Sequence, residues 1–483
     1  MTIEPARKRE AGQVLPLLVL ALVGLLGFAA LALDGGNLYT EQRRAQAAAD
    51  NAVMAAALQE MNGITGNSTQ ANFDCASINV NDPAQAAAVP LALAACHNAS
   101  QNGYTASDPH TTVVFHLPPV HGAYAGNSQY MEVVITQTVP TALAHLVYGQ
   151  DPIPVTVIAV AHGTPTGPIM PGYALSAMKP DCGSGGTIYM QSKGGGSGGG
   201  ASLTDGGAFV NANCPSALKM TGGDTLMTNG PPIDVVGDPS TVSGTPCTSP
   251  GVPSGCNYYP APTTSANGGV PLSQDLLQGT PAGTPPTAQD CAPARNLATE
   301  MADPVGIHPG SYTTLDSGNA SINLRPGIYC LTGGTLSSGN GSMTGNGVLI
   351  YLVDTAASIV YSGKNSASLD LSAPTTATTG CQGTADPSQD ICKYLGIVVY
   401  KVTGTNLCLD NAPDIVFTGN GSMNVVGLVY APLSLVKYGG NGSLTMTGQT
   451  IAGCVKFNGN GNLNIVYNPT VIYSPPPSIR LDQ

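Results

Sequence analysis

A short string that returns along the C-terminal half restricts the fold more than any other feature of the chain. Gly318-Asn319-Ala320-Ser321-Ile322 recurs as Gly339-Asn340-Gly341-Ser342-Met343, Gly419-Asn420-Gly421-Ser422-Met423, Gly440-Asn441-Gly442-Ser443-Leu444 and Gly459-Asn460-Gly461-Asn462-Leu463. The steps are 21, 80, 21 and 19 residues; eighty is about four such steps, and 363–369 carries a further copy inside that gap. Weaker copies begin at Gly199 and Gly222 and end at Leu203 and Leu226. Each copy leads into short apolar runs such as 347–353, 397–402 and 425–430. A unit of about 20 residues cannot bury its own apolar face, but stacked neighbours can, so this pattern predicts a parallel β-solenoid. Asn319, Asn340, Asn420, Asn441 and Asn460 then share one turn position. Asn tolerates the left-handed backbone, stacked amides hydrogen-bond to one another, and the adjoining Gly supplies positive φ. The same strings read as N-x-Ser sequons, a match that follows from the repeat itself.

Composition agrees with an extended β architecture. Only 9% of the 483 residues are charged, while 61 are Gly and 39 are Pro; ordinary globular chains carry roughly 25% charge. At 42% hydrophobic the chain is too apolar to be disordered. Its length implies two or three domains. The net charge is −12, and beyond Arg43-Arg44 the chain holds no Lys/Arg cluster, which argues against a nucleic-acid partner. Twelve cysteines occur without a C-x-x-C pair, so zinc ribbons and thioredoxin-like sites find no support. Cys247 with Cys256 and Cys381 with Cys392 are spaced to close small disulfide loops. The remaining connectivity stays open.

Near the N-terminus, residues 14–33 read VLPLLVLALVGLLGFAALAL, with no charge. As a helix this run is about 30 Å long, enough for a bilayer core. Val14, Leu20, Leu26 and Leu33 mark its extent. Arg7, Lys8 and Arg9 precede it, so the positive-inside rule places the N-terminus in the cytoplasm and the bulk outside. A signal peptide cleaved after Ala30-Leu31-Ala32 is the competing reading. The length of the run and the helix-forming segment that follows favour a retained single-pass anchor. Residues 37–61 contain no Gly or Pro and are rich in Ala, a strong helix signal. Asp34 or Asn37 caps a new helix, or the membrane helix runs on; Asn62-Gly63 supplies a stop. Leu38, Ala45, Ala49, Ala52 and Ala56 form a small-residue face. Either a partner or the chain's own following strands pack there.

The order of Gly12-Gln13-Val14, the apolar span, Leu33-Asp34-Gly35-Gly36, Tyr39, Arg43-Arg44 and 46–52 resembles the N-terminal module of Tad/Flp pilus-assembly proteins of the TadE/TadG-like kind. The resemblance covers about fifty residues. It implies a single-pass surface protein that supports pilus assembly, with membrane lipid and envelope or pilus-assembly proteins as partners. Two departures matter. The span lacks the early Glu of peptidase-processed prepilins, and Asp354-Thr355-Ala356-Ala357-Ser358 lacks the middle Ser of the metal site found in larger family members.

Between these regions, 111–117, 130–136 and 155–162 read as strands and 84–96 as a short helix, together a small α/β domain over 62–167. His97, His110, His116, His121, His145 and His162 lie here, yet none shows H-x-x-x-H or H-E-x-x-H spacing, so a metal site is not expected. Ser197 sits in a formal G-x-S-x-G inside a glycine run, without the strand and helix that a nucleophile elbow needs. Asp354, Asp370, Asp410 and Asp414 share no repeat position, so no acid/base pair is expected. The organisation expected is therefore mixed: anchor and stalk helix over 1–61, α/β domain over 62–167, and a β-solenoid over 168–483, interrupted by a Pro/Thr/Ser-rich loop at about 237–308 with a short helix at 292–301. No enzymatic activity or cofactor is expected, and carbohydrate binding has no positive support. A β-helix carbohydrate-active enzyme and a pilus-independent adhesin are the alternatives.

Overall fold

The structure is a computed structural model. It describes residues 14–62, 72–77, 89–141 without 106 and 128, 152–164, 167–182, 187–191, 199–249, 255–265, 271–364 without 279, 367–382, 390–404, 408, 414–459 and 461–482. The chain divides into two compact units, 1–165 with 477–483, and 166–476.

The first unit is one long helix on an antiparallel sheet. Helix α1 (Val14–Met61) is unbroken through Gly35-Gly36, so the apolar run continues into the alanine-rich segment without a fresh cap. Strands β1 (Asn72–Asp74), β2 (Thr111–His116), β3 (Met131–Val139) and β4 (Ile153–Thr164) pair in order, each antiparallel to the next. Helix α2 (Pro90–Gln101) starts with Pro in its first turn, where a missing N–H costs nothing. In β2 the burial alternates, with Val113 and Phe115 inside. These residues and Met131, Val133, Ile135, Val157 and Ala159 form a core with Ala45, Ala49, Ala52 and Ala56 of α1. Alanines here let the helix axis lie close to the strands. The sheet is completed by the C-terminal strand Ser478–Asp482, which pairs with β4. The sequence places those residues after Pro475-Pro476-Pro477 with no strand signal, so this closure is a finding of the structure.

The second unit is built from parallel pairs in three ladders. Ladder A runs through 310–312, 327–331, 348–352, 397–400, 428–431, 449–452, 173–177, 207–210, 233–235 and 263–264. Ladder B runs through 315–316, 335–338, 358–361, 415–417, 436–438, 455–458, 188–191 and 218–221. Ladder C runs through 322–324, 343–346, 368–372, 422–426, 443–447, 462–466, 200–204, 225–228 and 258–259. The repeated strings lie side by side in ladder C: Ile322 is level with Met343, then come Leu369, Met423, Leu444 and Leu463. The weak copy at Gly199 is two residues out of phase. Ala201, not Leu203, meets Leu463 and Leu226, a shift that keeps both residues on the inner face.

Layer order differs from chain order. Residues 173–264 stack against 449–466, beyond the last layers of the chain, while 310–324 lies at the opposite end. The segment expected to be an interrupting loop therefore does two jobs. Residues 258–264 still join the ladders. From Leu272 on, the chain runs back along ladder A as a strap. Asn211 bonds main-chain atoms of Leu272; Gln274 reaches the Pro432 carbonyl; the Tyr430 hydroxyl accepts from Leu277 N–H at 3.2 Å; and the Tyr400 hydroxyl donates to the Ala282 carbonyl at 2.8 Å. Cys291 then joins Cys330, and Ala294 bridges to Ser311. The strap covers the outer side of ladder A, which explains why 348–352 (VLIYL) and 397–400 (IVVY) are buried at every position. In ladder C burial alternates: Met343, Leu369 and Met423 are inside while Thr344, Asp370 and Asn424 are outside. The inner side of ladder B carries a ring stack, Phe417 on Tyr438 at 5.6 Å and Tyr438 on Phe457 at 5.7 Å between centroids. The helix expected at 292–301 is a single turn, Leu297–Glu300, capped by Asn296.

All twelve cysteines are paired: 75 with 96, 182 with 214, 247 with 256, 291 with 330, 381 with 392, and 408 with 454. At the repeat turns, Asn340 Nδ2 donates to Asn319 Oδ1 at 2.9 Å, and Asn441 Nδ2 to Asn420 Oδ1 at 3.3 Å. Positive φ falls on the adjoining Gly318, Gly419, Gly440 and Gly459, the role expected of the glycines, and on none of the described repeat asparagines. Asn460 lies outside the described residues.

Candidate functional site

Helix α1 is the candidate site, because its two halves face different surroundings. At 48 residues it is about 72 Å long. Between Leu17 and Leu33 the large side chains the structure describes are exposed: Leu20 by 70%, Phe28 by 75% and Leu33 by 74%. Water would oppose an exposed apolar surface of this extent on a helix, whereas lipid tails accept it. By length and composition the segment qualifies as a membrane span. Val14 and Leu26 belong to the same helix. Arg7, Lys8 and Arg9 lie outside the described residues.

From Ala45 onward the helix reverses its character. Ala45, Ala49, Ala52, Val53, Ala56 and Ala57 are completely buried against the unit's own helix and sheet. The small-residue face is thus filled by the chain's own strands, one of the two options its sequence left open. Polar side chains fix its seat. Tyr104 donates its hydroxyl to Glu41 at 2.7 Å, and Gln46 donates to Asp50 at 2.8 Å and to the Ile158 carbonyl at 3.0 Å. Glu60 accepts the Gly163 N–H at 2.9 Å. Burial pushes the Glu60 carboxyl up to about 7, an effect that the Gly163 hydrogen bond partly offsets. Gly163 has no room for a side chain: a Cβ there would collide with the Ala57 carbonyl.

The histidines group in a way their spacing concealed. Glu132, fully buried on β3, accepts from the His121 ring at 2.8 Å and from the His121 N–H at 2.9 Å, while His116 Nε2 lies 3.8 Å away. Burial lowers the His116 pKa, so this ring stays neutral more readily than a free histidine. The signal available was one buried acid opposite His116 in the β2–β3 register. His145 lies outside the described residues. Among the described residues no three His, Cys, Asp or Glu side chains are placed to share a metal ion.

The scattered acids of the second unit are likewise separate. Asp414 pairs with the completely buried Lys401 at 3.0 Å, and Lys401 also donates to the Ala357 carbonyl at 2.6 Å. Asp370 accepts from Asn424 at 3.0 Å across ladder C, and Asp354 accepts the N–H groups of Ala356 and Ala357. Asp410 and Ser197 lie outside the described residues.

Comparison with known proteins bears on the same helix. Residues 12–59 match the Tad family, described as putative Flp pilus-assembly TadE/G-like. The match takes in the exposed apolar half of α1 and most of its buried alanine half. No curated protein matches the chain. Among solved structures, the Shewanella frigidimarina ice-binding protein_1 DUF3494 domain overlays at a TM-score of 0.27 and 15% identity, covering 62% of this chain and 99% of that one. The competence-associated pilin ComZ of Thermus thermophilus overlays at 0.19 and 12% identity, covering both chains fully. Both overlays are too loose to carry fold or function across.

Proposed function

We propose that the chain is a membrane-anchored structural protein of the cell envelope that supports Tad/Flp-type pilus assembly or adhesion. The carrying observation is the division of α1, whose lipid-compatible half lies within the Tad-matching segment while its alanine half is seated on a folded unit. In this reading the N-terminus is cytoplasmic and both units lie outside, where the six disulfides persist. In this reading the second unit acts as a β-solenoid of three ladders. Its role is structural rather than catalytic, a reading supported by the separation of Asp354, Asp370 and Asp414 into unrelated contacts.

The test is the double substitution Leu20→Arg with Leu25→Arg in the full chain. Each charge near the centre of a span costs about 3 kcal/mol on insertion scales. Membrane retention and surface pili are expected to fall together. Pili at wild-type levels with the protein lost from the membrane would sink the assembly reading, and unchanged pili with loss of surface attachment would favour the independent adhesin.

A further inference from the structure

Beside β4 the first unit holds a cavity of about 380 Å³, walled by Gln46, segment 121–124, Ile158, Val160 and Asp482. Alternation in β4 gives Val157, Ala159 and Ala161 to the core shared with α1, so Ile158 and Val160 occupy the other face. Asp482 is level with Val160 in the register and continues that row. The result is an apolar track that ends beside a carboxylate. Segment 121–124 is held in place by Glu132, which accepts from the His121 N–H and from its ring. Tyr124 stacks on Tyr130 with centroids 4.1 Å apart, which fixes its ring. The walls are therefore formed before any ligand arrives.

Asp482 sets the chemistry of the cavity. Its side chain is 7% exposed; Oδ1 accepts from Arg480 Nε at 2.7 Å and from the Tyr124 hydroxyl at 3.4 Å, while Oδ2 has no hydrogen-bond partner. A buried carboxylate oxygen without a donor is costly, and a charged donor satisfies it best. The carboxylates of Asp482, Glu132 and Asp50 are all tied to this lining, against the one guanidinium of Arg480 among the described residues. That balance disfavours anions. The Tyr124 ring offers a π-face to a cation. A bare ion or a water, however, leaves most of the volume empty and Ile158 and Val160 uncovered. These two side chains lie about 7 Å apart along the strand, the reach of four or five methylenes.

We propose that this cavity binds a primary alkylammonium group, with its stem along Ile158 and Val160 and its N–H groups directed to Asp482 and Tyr124. The group belongs to a lysine side chain of another chain or to a free diamine, which present the same chemistry. The site does not depend on the assembly reading.

The experiment is calorimetric titration of the full chain in detergent at pH 7.5 and fixed sodium chloride. The probes are pentylamine, cadaverine, Nα-acetyl-lysine methylamide, the uncharged Nα-acetyl-norleucine methylamide, and methylamine, which lacks a stem. Wild type is expected to bind the first three at least about tenfold more tightly than the last two. Tighter binding of the lysine compound than of cadaverine assigns the group to a peptide, and the reverse assigns it to a free diamine. Asp482→Asn keeps the shape and is expected to weaken pentylamine binding by about tenfold or more. Ile158→Ser alters a partly exposed position that tolerates the change, and is expected to weaken it about fivefold. Pentylamine bound no more tightly by wild type than the norleucine compound, or bound equally by either variant, overturns the proposal.

Discussion

The two units bury apolar surface by opposite means. In the first, one helix with small side chains packs on β3, β4, the C-terminal strand and α2, so α1 is a partner common to most of the core. In the second, each layer meets the layers on either side of it, and inner positions repeat one kind of residue, as in the run from Ile322 to Leu463. A core with a common partner fails as a whole when that partner is displaced. A core of successive layers passes strain to its neighbours alone.

Three substitutions probe this difference. Gly163→Val should have the largest effect, because the new side chain drives β4 away from the Ala57 carbonyl on the common helix. A loss above about 3 kcal/mol is expected, with amide exchange accelerating across β2, β3 and β4 alike; exchange limited to β4 would break the common-partner view. Leu369→Ala, between Met343 and Met423 on the inner side of ladder C, should cost about 3 kcal/mol. Here faster exchange should be confined to the adjoining layers. Spread as far as 200–204 would show that the second unit also fails as a whole.

Glu60→Gln should have the smallest effect and concerns how α1 is seated. The folded carboxyl, raised to about 7, lies above its unfolded value of about 4.5. Stability from this group is therefore complete below about pH 4.5 and is lost as pH rises through 7. Replacing Glu60 should remove that slope and gain about 2 kcal/mol at pH 8, measured by denaturant unfolding across the pH range. A slope unchanged by the substitution would place the titrating group elsewhere.

Local pattern made part of this architecture readable. β-branched runs marked β2, β3 and β4, and the Gly-Asn strings marked the positions that lie level in ladder C. Contacts between distant segments were not readable. Ser478–Asp482 carries Arg480 and Asp482 behind three prolines and becomes a strand because β4 offers an edge. The strap left an indirect sign: 348–352 and 397–400 are apolar at every position, which in a parallel ladder means that both faces are covered. The cover had to come from a segment without repeats, and 272–291 was available. At the candidate site the exposed half of α1 was legible from hydropathy. The fate of its alanine face was not, because alanine suits a partner's backbone and the chain's own strands equally well.

The displaced order of layers has a consequence for how the protein is made. A chain emerging from its N-terminal end delivers 173–264 well before 449–466, the layers against which its first strands must pair. Until those last layers arrive, the early part carries an open parallel edge, and the part from 310 onward grows as a separate stack. The two meet only when 449–466 is laid between them. Completion therefore waits for nearly the whole polypeptide, and any chain halted before residue 449 presents the kind of bare strand edge that recruits other chains.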